Sequence, residues 1–173
     1  MLSLAPGTYT ITYGITGYVS QSKSVVITSA TTVTQNVALV AAVASANLSQ
    51  GKSATSSSTY SSTYTASKAF DGLTSTYWGS SGHDAEWLRV DLGTSQSFKK
   101  FVMDWNGSYY AKAYRIETST DGATWTSRYS TSYGNGDSTV TLSSAVTARY
   151  VRLYGTSANS SNYQVTEFQV WNQ

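Results

Sequence analysis

The sequence of 173 residues contains no cysteine, a single proline, a single histidine and few charges. Without cysteine, disulfides, thiol chemistry and cysteine-based zinc sites are excluded. Charged residues make up 12% of the chain, with 11 basic against 9 acidic groups, and the longest basic run is Lys99-Lys100. The electrostatic footprint of a nucleic-acid-binding protein is therefore missing, and we expect no nucleic-acid partner.

Long hydrophobic runs are also missing. The longest apolar tract, residues 37–43, is far too short to cross a bilayer. The first ten residues, MLSLAPGTYT, lack the basic start and the apolar run of a signal peptide. Serine, threonine, tyrosine and glycine dominate instead, as in extracellular β-proteins. We therefore expect a soluble, secreted protein with no membrane partner, and any export signal outside this sequence.

Short segments with the period-two pattern of β-strands fill most of the chain. In residues 87–93, WLRVDLG, aliphatic side chains alternate with polar or aromatic ones. Similar patterns occur at residues 98–105, 113–119, 149–154 and 165–171, and Asp121-Gly122 is a hairpin turn signal. Short strands separated by turn signals predict an all-β antiparallel sandwich or barrel.

The first forty residues form a separate stretch. Residues 7–14, 23–28 and 32–40 read as strands, and the run PGTYTITYGITGYVSQSKSVVIT resembles the closing half of carboxypeptidase regulatory-like sandwich domains. This resemblance predicts a three-stranded fragment over residues 1–41, followed by a linker at 42–46. Because the fragment is too short to close a two-sheet core, we expect an uncovered face and self-association through it.

A turn with many oxygen atoms follows Lys68. Asp71-Gly72 is a turn signal, and the hydroxyls of residues 74–76 come directly after it. A carboxylate followed by hydroxyls on a curled loop is the chemistry of a hard cation such as Ca²⁺. An ordinary Asx-turn that leads into a buried Trp78 explains the same residues, and the local pattern leaves both interpretations open.

Catalytic groups are scarce. His83 and Asp84 are adjacent, but neighbouring side chains rarely point at the same reacting atom. Glycoside hydrolysis needs two facing carboxylates, and no convincing pair remains once the acids in turns are set aside. We therefore predict a protein that is not an enzyme.

Aromatic and amide side chains gather in the segments between strands. Rings that stack on the apolar face of a sugar, together with a few fixed polar groups, form a shallow glycan site. The predicted carbohydrate-binding residues are Tyr60, His83, Trp105, Asn106, Tyr109, Tyr110 and Tyr163. For Tyr109, Tyr110 and Tyr163, flanked by Ser, Asn and Gly, we expect loop exposure. The tryptophans expected in the core are Trp78, Trp87, Trp125 and Trp171.

Five sequence motifs, in the same order along the chain as in a known family, carry a family resemblance. Residues 47–173 resemble the coagulation-factor type-C (discoidin) domains, and within them the bacterial carbohydrate-binding modules of family 32. The resemblance implies a galactose-binding-like jelly-roll β-sandwich whose loops form the sugar site at one end. The motifs are SKAFDGLTSTYW, EWLRVDLG, SYYAKAYRIETSTDGATW, ARYVRLYG and VTEFQVW.

The resemblance also implies a structural Ca²⁺. Relatives hold the ion with a K-x-x-D-x-[ND]-x-x-T loop and a glutamate near the C-terminus. The sequence departs from this pattern at Leu73, a position that usually contributes its backbone oxygen. The implied ligands are Lys68 (through its carbonyl), Asp71, Leu73, Thr76, Thr166 (through its carbonyl) and Glu167.

The function that the resemblance implies is non-catalytic glycan binding. We expect the module to hold the catalytic domain of a longer parent chain close to a polysaccharide, as part of a secreted bacterial enzyme. Because Asn106 is neutral where chitosan-binding relatives tend to be acidic, we predict a neutral glucan or a galactose-type glycan. The alternative is a discoidin-type cell-adhesion or membrane-surface module.

Overall fold

A computed structural model describes residues 4–29 and 31–173. The chain divides into two compact units, Met1–Ala44 and Ser45–Gln173, and the division falls inside the segment that the sequence suggested as a linker. Within the described residues, no helix is long and apolar enough to cross a membrane. The elements, in chain order, are β1 (Gly7–Tyr13), β2 (Gln21–Ile27), β3 (Ser53–Ser56), a 3₁₀ helix (Ala66–Phe70), β4 (Trp78–Gly79), β5 (Glu86–Trp105), β6 (Ala111–Ser119), β7 (Thr126–Thr131), β8 (Ser138–Ala158) and β9 (Gln164–Trp171).

The smaller unit is a hairpin followed by an irregular segment. Strands β1 and β2 pair antiparallel from Gly7 opposite Ile27 to Tyr13 opposite Gln21. The predicted third strand at 32–40 is wrong, because residues 31–40 have no strand in the structure. This segment instead hydrogen-bonds to the turn between the two strands and to the start of β2, and Val40 accepts a bond from the Val19 amide at 2.8 Å.

Apolar side chains of the smaller unit remain in contact with water. Val25 is buried, but Val26 and Val40 are 59% and 63% exposed. A two-stranded ribbon gains stability when its apolar surface is covered.

We expect the intact chain to self-associate through this unit, and replacement of Val26 and Val40 by Thr to shift the light-scattering mass toward the monomer. Tyr133→Thr, at a 91% exposed position of the larger unit, should leave the mass unchanged, and an intact chain that stays monomeric at every concentration would contradict the expectation.

The larger unit is a sandwich built on two long, bent strands. The first part of β5 pairs with β3 and with the second part of β8, which in turn pairs with β6; β6 then pairs with β7. The second part of β5 pairs with β9 and with the first part of β8, and β9 also pairs with β4. One half of the sandwich is thus a five-stranded sheet in the order β3-β5-β8-β6-β7. The predicted all-β sandwich is confirmed.

The bend in β5 lies at Gly93. The sequence reads as two strands, at 87–93 and 98–105, but hydrogen bonding continues through the region with a register shift between Asp91 and Gln96. Gly93 has a φ of +88° and donates its amide to Asp91 Oδ1 at 2.8 Å. A left-handed φ at glycine turns the strand without a steric penalty, so the strand crosses from one sheet to the other.

Side chains from both sheets meet in a core of aliphatic and aromatic residues. Phe70 on the 3₁₀ helix packs against Phe168, whose ring lies 6.5 Å from that of Phe101. Trp78 is buried as predicted. The predicted burial of Trp87, Trp125 and Trp171 is wrong: all three are half-buried, with a cation over each ring.

Candidate functional site

Backbone and side-chain oxygens converge in the loop after the 3₁₀ helix. The Thr76 hydroxyl lies 2.8 and 3.0 Å from the two Asp71 carboxylate oxygens and 3.2 Å from the Leu73 carbonyl. The Lys68 carbonyl lies 3.5 Å from the same hydroxyl. The sequence builds this geometry locally, because Gly72 with a φ of +81° curls the chain and Asp71 accepts the Leu73 amide.

Glu167 brings a second carboxylate to the loop from β9. Its side chain is buried, and Oε1 accepts the Gly72 amide at 2.7 Å. The other oxygen, Oε2, is buried and has no hydrogen-bond partner within the described residues. Burial raises the pKa of the Glu167 carboxyl and the nearby Asp71 carboxylate adds to the rise, whereas the bond from Gly72 opposes it. A buried oxygen without a partner carries a free-energy cost that a bound cation would remove.

The donor set fits calcium better than a transition metal. The described residues contain no cluster of three or more His, Cys, Asp or Glu side chains. Two carboxylates with neutral carbonyl and hydroxyl oxygens are the ligands that Ca²⁺ takes. The predicted positions Lys68, Asp71, Leu73 and Thr76 come together here with Glu167, and Thr166 lies beside Glu167 on β9.

A cleft lies beside β4 at the end of the larger unit where the loops meet. Backbone hydrogen bonds fix the loop that carries Tyr60 and Tyr64. The backbone amide of Tyr60 donates to the Gly79 carbonyl, and the backbone amide of Gly79 donates to the Tyr64 carbonyl. On the other side the Gln164 amide donates to the Tyr109 carbonyl at 2.9 Å. The cleft has a volume of about 280 Å³ and is lined by Tyr60, Tyr64, Tyr77, Gly79, Ser81, Tyr109, Ser161, Asn162 and Gln164.

Tyrosine rings form one wall of this cleft, which we call the tyrosine cleft. The rings of Tyr64 and Tyr77 stack with centroids 4.5 Å apart and planes 15° apart. Tyr60 leans on Tyr64 at 6.1 Å and is 66% exposed. Hydrogen bonding to Tyr64, followed by burial and the other phenols, raises the pKa of Tyr77 to about 12. Its hydroxyl therefore keeps its proton throughout the physiological pH range.

Amide side chains, two of which line the cleft, form a connected row. Asn106 Nδ2 donates to Gln164 Oε1 at 2.7 Å, and Gln164 Nε2 donates to Asn162 Oδ1 at 3.4 Å. Asn162 in turn donates to the Ser80 carbonyl at 2.9 Å. Each amide fixes the orientation of the next, so the cleft presents polar groups in a set direction.

Two of the predicted sugar-binding residues lie in the core instead. Trp105 is 6% exposed, and its ring lies 6.4 Å from the rings of both Tyr114 and Tyr163. Tyr163, predicted to be exposed, is 2% exposed. Its ring packs against the backbone of Gly155, where an added Cβ would come within 2.5 Å of the ring. Neither ring is available to stack on a sugar.

The remaining predicted residues have different surroundings. Tyr60 and Tyr109 line the tyrosine cleft, and Asn106 supports it through Gln164. Tyr110 is half-buried against the core rather than fully exposed. His83 is exposed, lies 3.0 Å from Asp84 and is not among the residues that line the cleft.

Sequence reasoning missed Tyr77 as a cleft residue. The motif that contains Tyr77 predicts a cation-binding turn followed by a buried Trp78, and nothing in it marks Tyr77 as a binding residue. Tyr77 directly precedes β4 and is half-buried, whereas Trp78 at the start of β4 is buried. Gln164 was likewise missed, because the serine and asparagine residues before it read only as an exposed loop.

Comparisons with known proteins agree with this architecture. The family model of the F5/8 type C domain matches residues 53–168, and the chain belongs to this family. The comparison with curated protein sequences gave no significant match.

Several solved structures share the fold. Chitosan-binding module 1 of the chitosanase/glucanase from Paenibacillus sp. IK-5 is 37% identical, with a TM-score of 0.68, over 72% of this chain and 98% of that chain. Module 2 of the same enzyme, solved with chitotriose, is 33% identical, with a TM-score of 0.66, over 72% and 98%. The family 32 module of NanJ from C. perfringens, solved with galactose, is 20% identical, with a TM-score of 0.65, over 74% and 99%. This last similarity concerns the fold alone.

Proposed function

We propose that the larger unit is a non-catalytic carbohydrate-binding module whose glycan site is the tyrosine cleft. The observation that carries the proposal is the joint presence of four tyrosine rings and an ordered row of amides around one cleft. Tyrosine offers a ring for the CH face of a sugar and a hydroxyl for its polar edge. The two chitosan-binding modules that are more than 30% identical to this chain support the same function.

The glycan that we propose is uncharged, either a neutral glucan or a galactose-type chain. None of the residues that line the cleft carries a charge. A cationic glycan would need carboxylates to receive its amines. Asp84, on the loop after Ser81, is 61% exposed at its side chain, and together with the chitosan-binding relatives it favours chitosan as the second candidate.

Calorimetric titration with cellotriose, galactose and chitotriose should separate these two candidates. We expect the intact chain to bind a neutral sugar more tightly than chitotriose, because the cleft offers stacking and amide groups but no carboxylate. The matched variant Asp84→Asn should leave neutral binding unchanged. Preferential binding of chitotriose that Asp84→Asn weakens would overturn the neutral assignment and establish chitosan instead.

A structural calcium ion is part of the same proposal. Asp71 and Glu167 would balance its charge, and the neutral oxygens of Lys68, Leu73 and Thr76 would complete the shell. The ion would join the loop after the 3₁₀ helix to β9, far along the chain, and would take no part in chemistry.

The biological role that we propose is the targeting of a catalytic domain on a longer, secreted parent chain to its polysaccharide. A tethered module raises the local concentration of the enzyme at the surface of its substrate. A cell-adhesion or membrane-surface role is the alternative. Sedimentation with liposomes, set beside pull-down with insoluble polysaccharide, distinguishes the two, and we expect co-sedimentation with the polysaccharide alone.

A further inference from the structure

The outer face of the five-stranded sheet carries arginines interleaved with aromatic rings. Along β5 the side chains of Leu88 and Val90 point inward, and Arg89 points outward. Arg89 lies opposite Arg152 on β8, and Arg152 lies opposite Glu117 on β6. Like charges directly opposite each other on a sheet are destabilising, so this pair of arginines lowers the stability of the fold. The packing of the sheet does not explain their presence.

The guanidinium groups on this face lie over aromatic rings. The Arg152 guanidinium lies 4.2 Å from the centroid of the Trp125 ring, and that of Arg115 lies 4.6 Å from the Tyr154 ring. Arg89 lies 5.5 Å from the Trp87 ring. Cation–π contacts of this kind restrict the arginine side chains, so less conformational entropy remains to be lost when a ligand binds.

Positive charge exceeds negative charge on this face. Arg115 and Arg152 share the single carboxylate of Glu117, and Arg149 pairs with Asp91 through two bonds of 2.8 Å. Arg89 bonds only to neutral oxygens, those of Thr55 and Gly122. Four guanidinium groups thus face two carboxylates. A third carboxylate nearby, that of Asp121, accepts bonds from the Ser119 hydroxyl and from turn amides, and its charge reduces the excess on this face to one positive charge.

Two guanidinium groups on this face keep donors that an anion could use. Arg115 and Arg152 each donate to Glu117 through Nε. In the described part of the chain, their terminal Nη groups make no hydrogen bond. The side chains of Arg115 and Arg152 are 40% and 19% exposed. A guanidinium that keeps its terminal amino groups free can bind a carboxylate with charge-assisted bonds.

We propose that this arginine–aromatic face, formed by Arg89, Arg115, Arg152 and the rings beside them, is a second binding surface, which takes a carboxylate-bearing polysaccharide. The charge excess selects an anionic ligand, and the rings of Trp87, Trp125 and Tyr154 hold the guanidinium groups in place for it. No residue of this face lines the tyrosine cleft. The two surfaces would therefore bind independently, one a neutral chain and the other an acidic one.

The test measures binding of the intact chain to polygalacturonate at low and moderate salt. We expect binding that weakens with salt, because the contact is between charges at the surface. Arg89→Gln should weaken it about tenfold, the effect of removing one charge-assisted hydrogen bond. Lys100→Gln is the matched control, since Lys100 also lies over a tryptophan ring, 5.1 Å from that of Trp171, but on the other sheet.

A second variant separates geometry from charge. Arg115→Lys keeps the charge and the partner Glu117 but removes the forked amino groups, and it should also weaken binding of polygalacturonate. The proposal would be overturned if Lys100→Gln lost as much affinity for polygalacturonate as Arg89→Gln does. It would also be overturned if the native chain bound polyglutamate as tightly as polygalacturonate, or did not bind polygalacturonate at all. Melting curves identify any variant that fails to fold. We also expect both arginine variants to bind the neutral sugar of the tyrosine cleft as tightly as the native chain does.

Discussion

Removal of calcium should lower the melting temperature of the intact chain by about 8 °C. A ligand that binds only the folded state at 100 times its dissociation constant adds about 2.7 kcal/mol to the free energy of unfolding. For a chain of this size, about 3 °C of melting temperature corresponds to each kcal/mol. The physical reason is Glu167, whose buried Oε2 has no partner within the described residues. Calorimetric scans with added CaCl₂ and with EDTA measure the shift.

The variant Asp71→Asn provides the specific test. It keeps the side-chain shape and oxygen that accept the Leu73 amide but removes one of the two charges that would balance the ion. We expect the melting temperature of this variant to be independent of calcium. Asp84→Asn, which removes a carboxylate from an exposed loop, should keep the full dependence. A native melting curve that EDTA leaves unmoved, after complete removal of metal, would refute the calcium site.

Replacement of Tyr109 by Ala should weaken glycan binding about 30-fold. Tyr109 lines the tyrosine cleft, and loss of a central aromatic contact in a binding site typically costs about 2 kcal/mol. Tyr109→Phe keeps the ring and removes the hydroxyl, so it should show a smaller loss. Calorimetric titration with the neutral sugar that the native chain binds gives the three affinities.

Tyr133→Ala is the matched control for this experiment. Tyr133 is 91% exposed on another loop and does not line the cleft. We expect its replacement to leave the affinity unchanged. If Tyr133→Ala reduces binding as much as Tyr109→Ala does, surface tyrosines in general and not the cleft carry the affinity.

The sequence predicted the sandwich because its strands alternate cleanly. It also predicted a turn at Asp71 and Gly72 with the Thr76 hydroxyl close by, because these residues are near one another in the chain and their geometry is local. Glu167 comes from β9, so its place at this loop followed from the family resemblance and not from spacing. The continuity of β5 through Gly93 was not predictable, because glycine reads equally as the end of a strand and as a bend within it.

Burial of aromatic residues was the least predictable property. Trp105 shares an inward face with Phe101 and Met103, a pattern that was visible in the sequence but was outweighed by the neighbouring loop residues. Trp87 and Trp125 were expected in the core because tryptophan is large and apolar. The structure covers their rings with arginines on the outside of the sheet instead. Arg152 and Trp125 come from distant parts of the chain, so their stacking depends on a register that no local pattern reveals, whereas Arg89 stacks on Trp87 two residues earlier in the same strand.

A crystal structure of the intact chain with a bound oligosaccharide would show directly whether the tyrosine cleft binds glycan. Crystals soaked with cellotriose, galactose or chitotriose, whichever binds in solution, show where the sugar lies. We predict a sugar ring in contact with Tyr109 and within hydrogen-bond distance of Gln164, in the cleft that these residues line. A sugar bound elsewhere on the larger unit, with the tyrosine cleft holding only water, would contradict it.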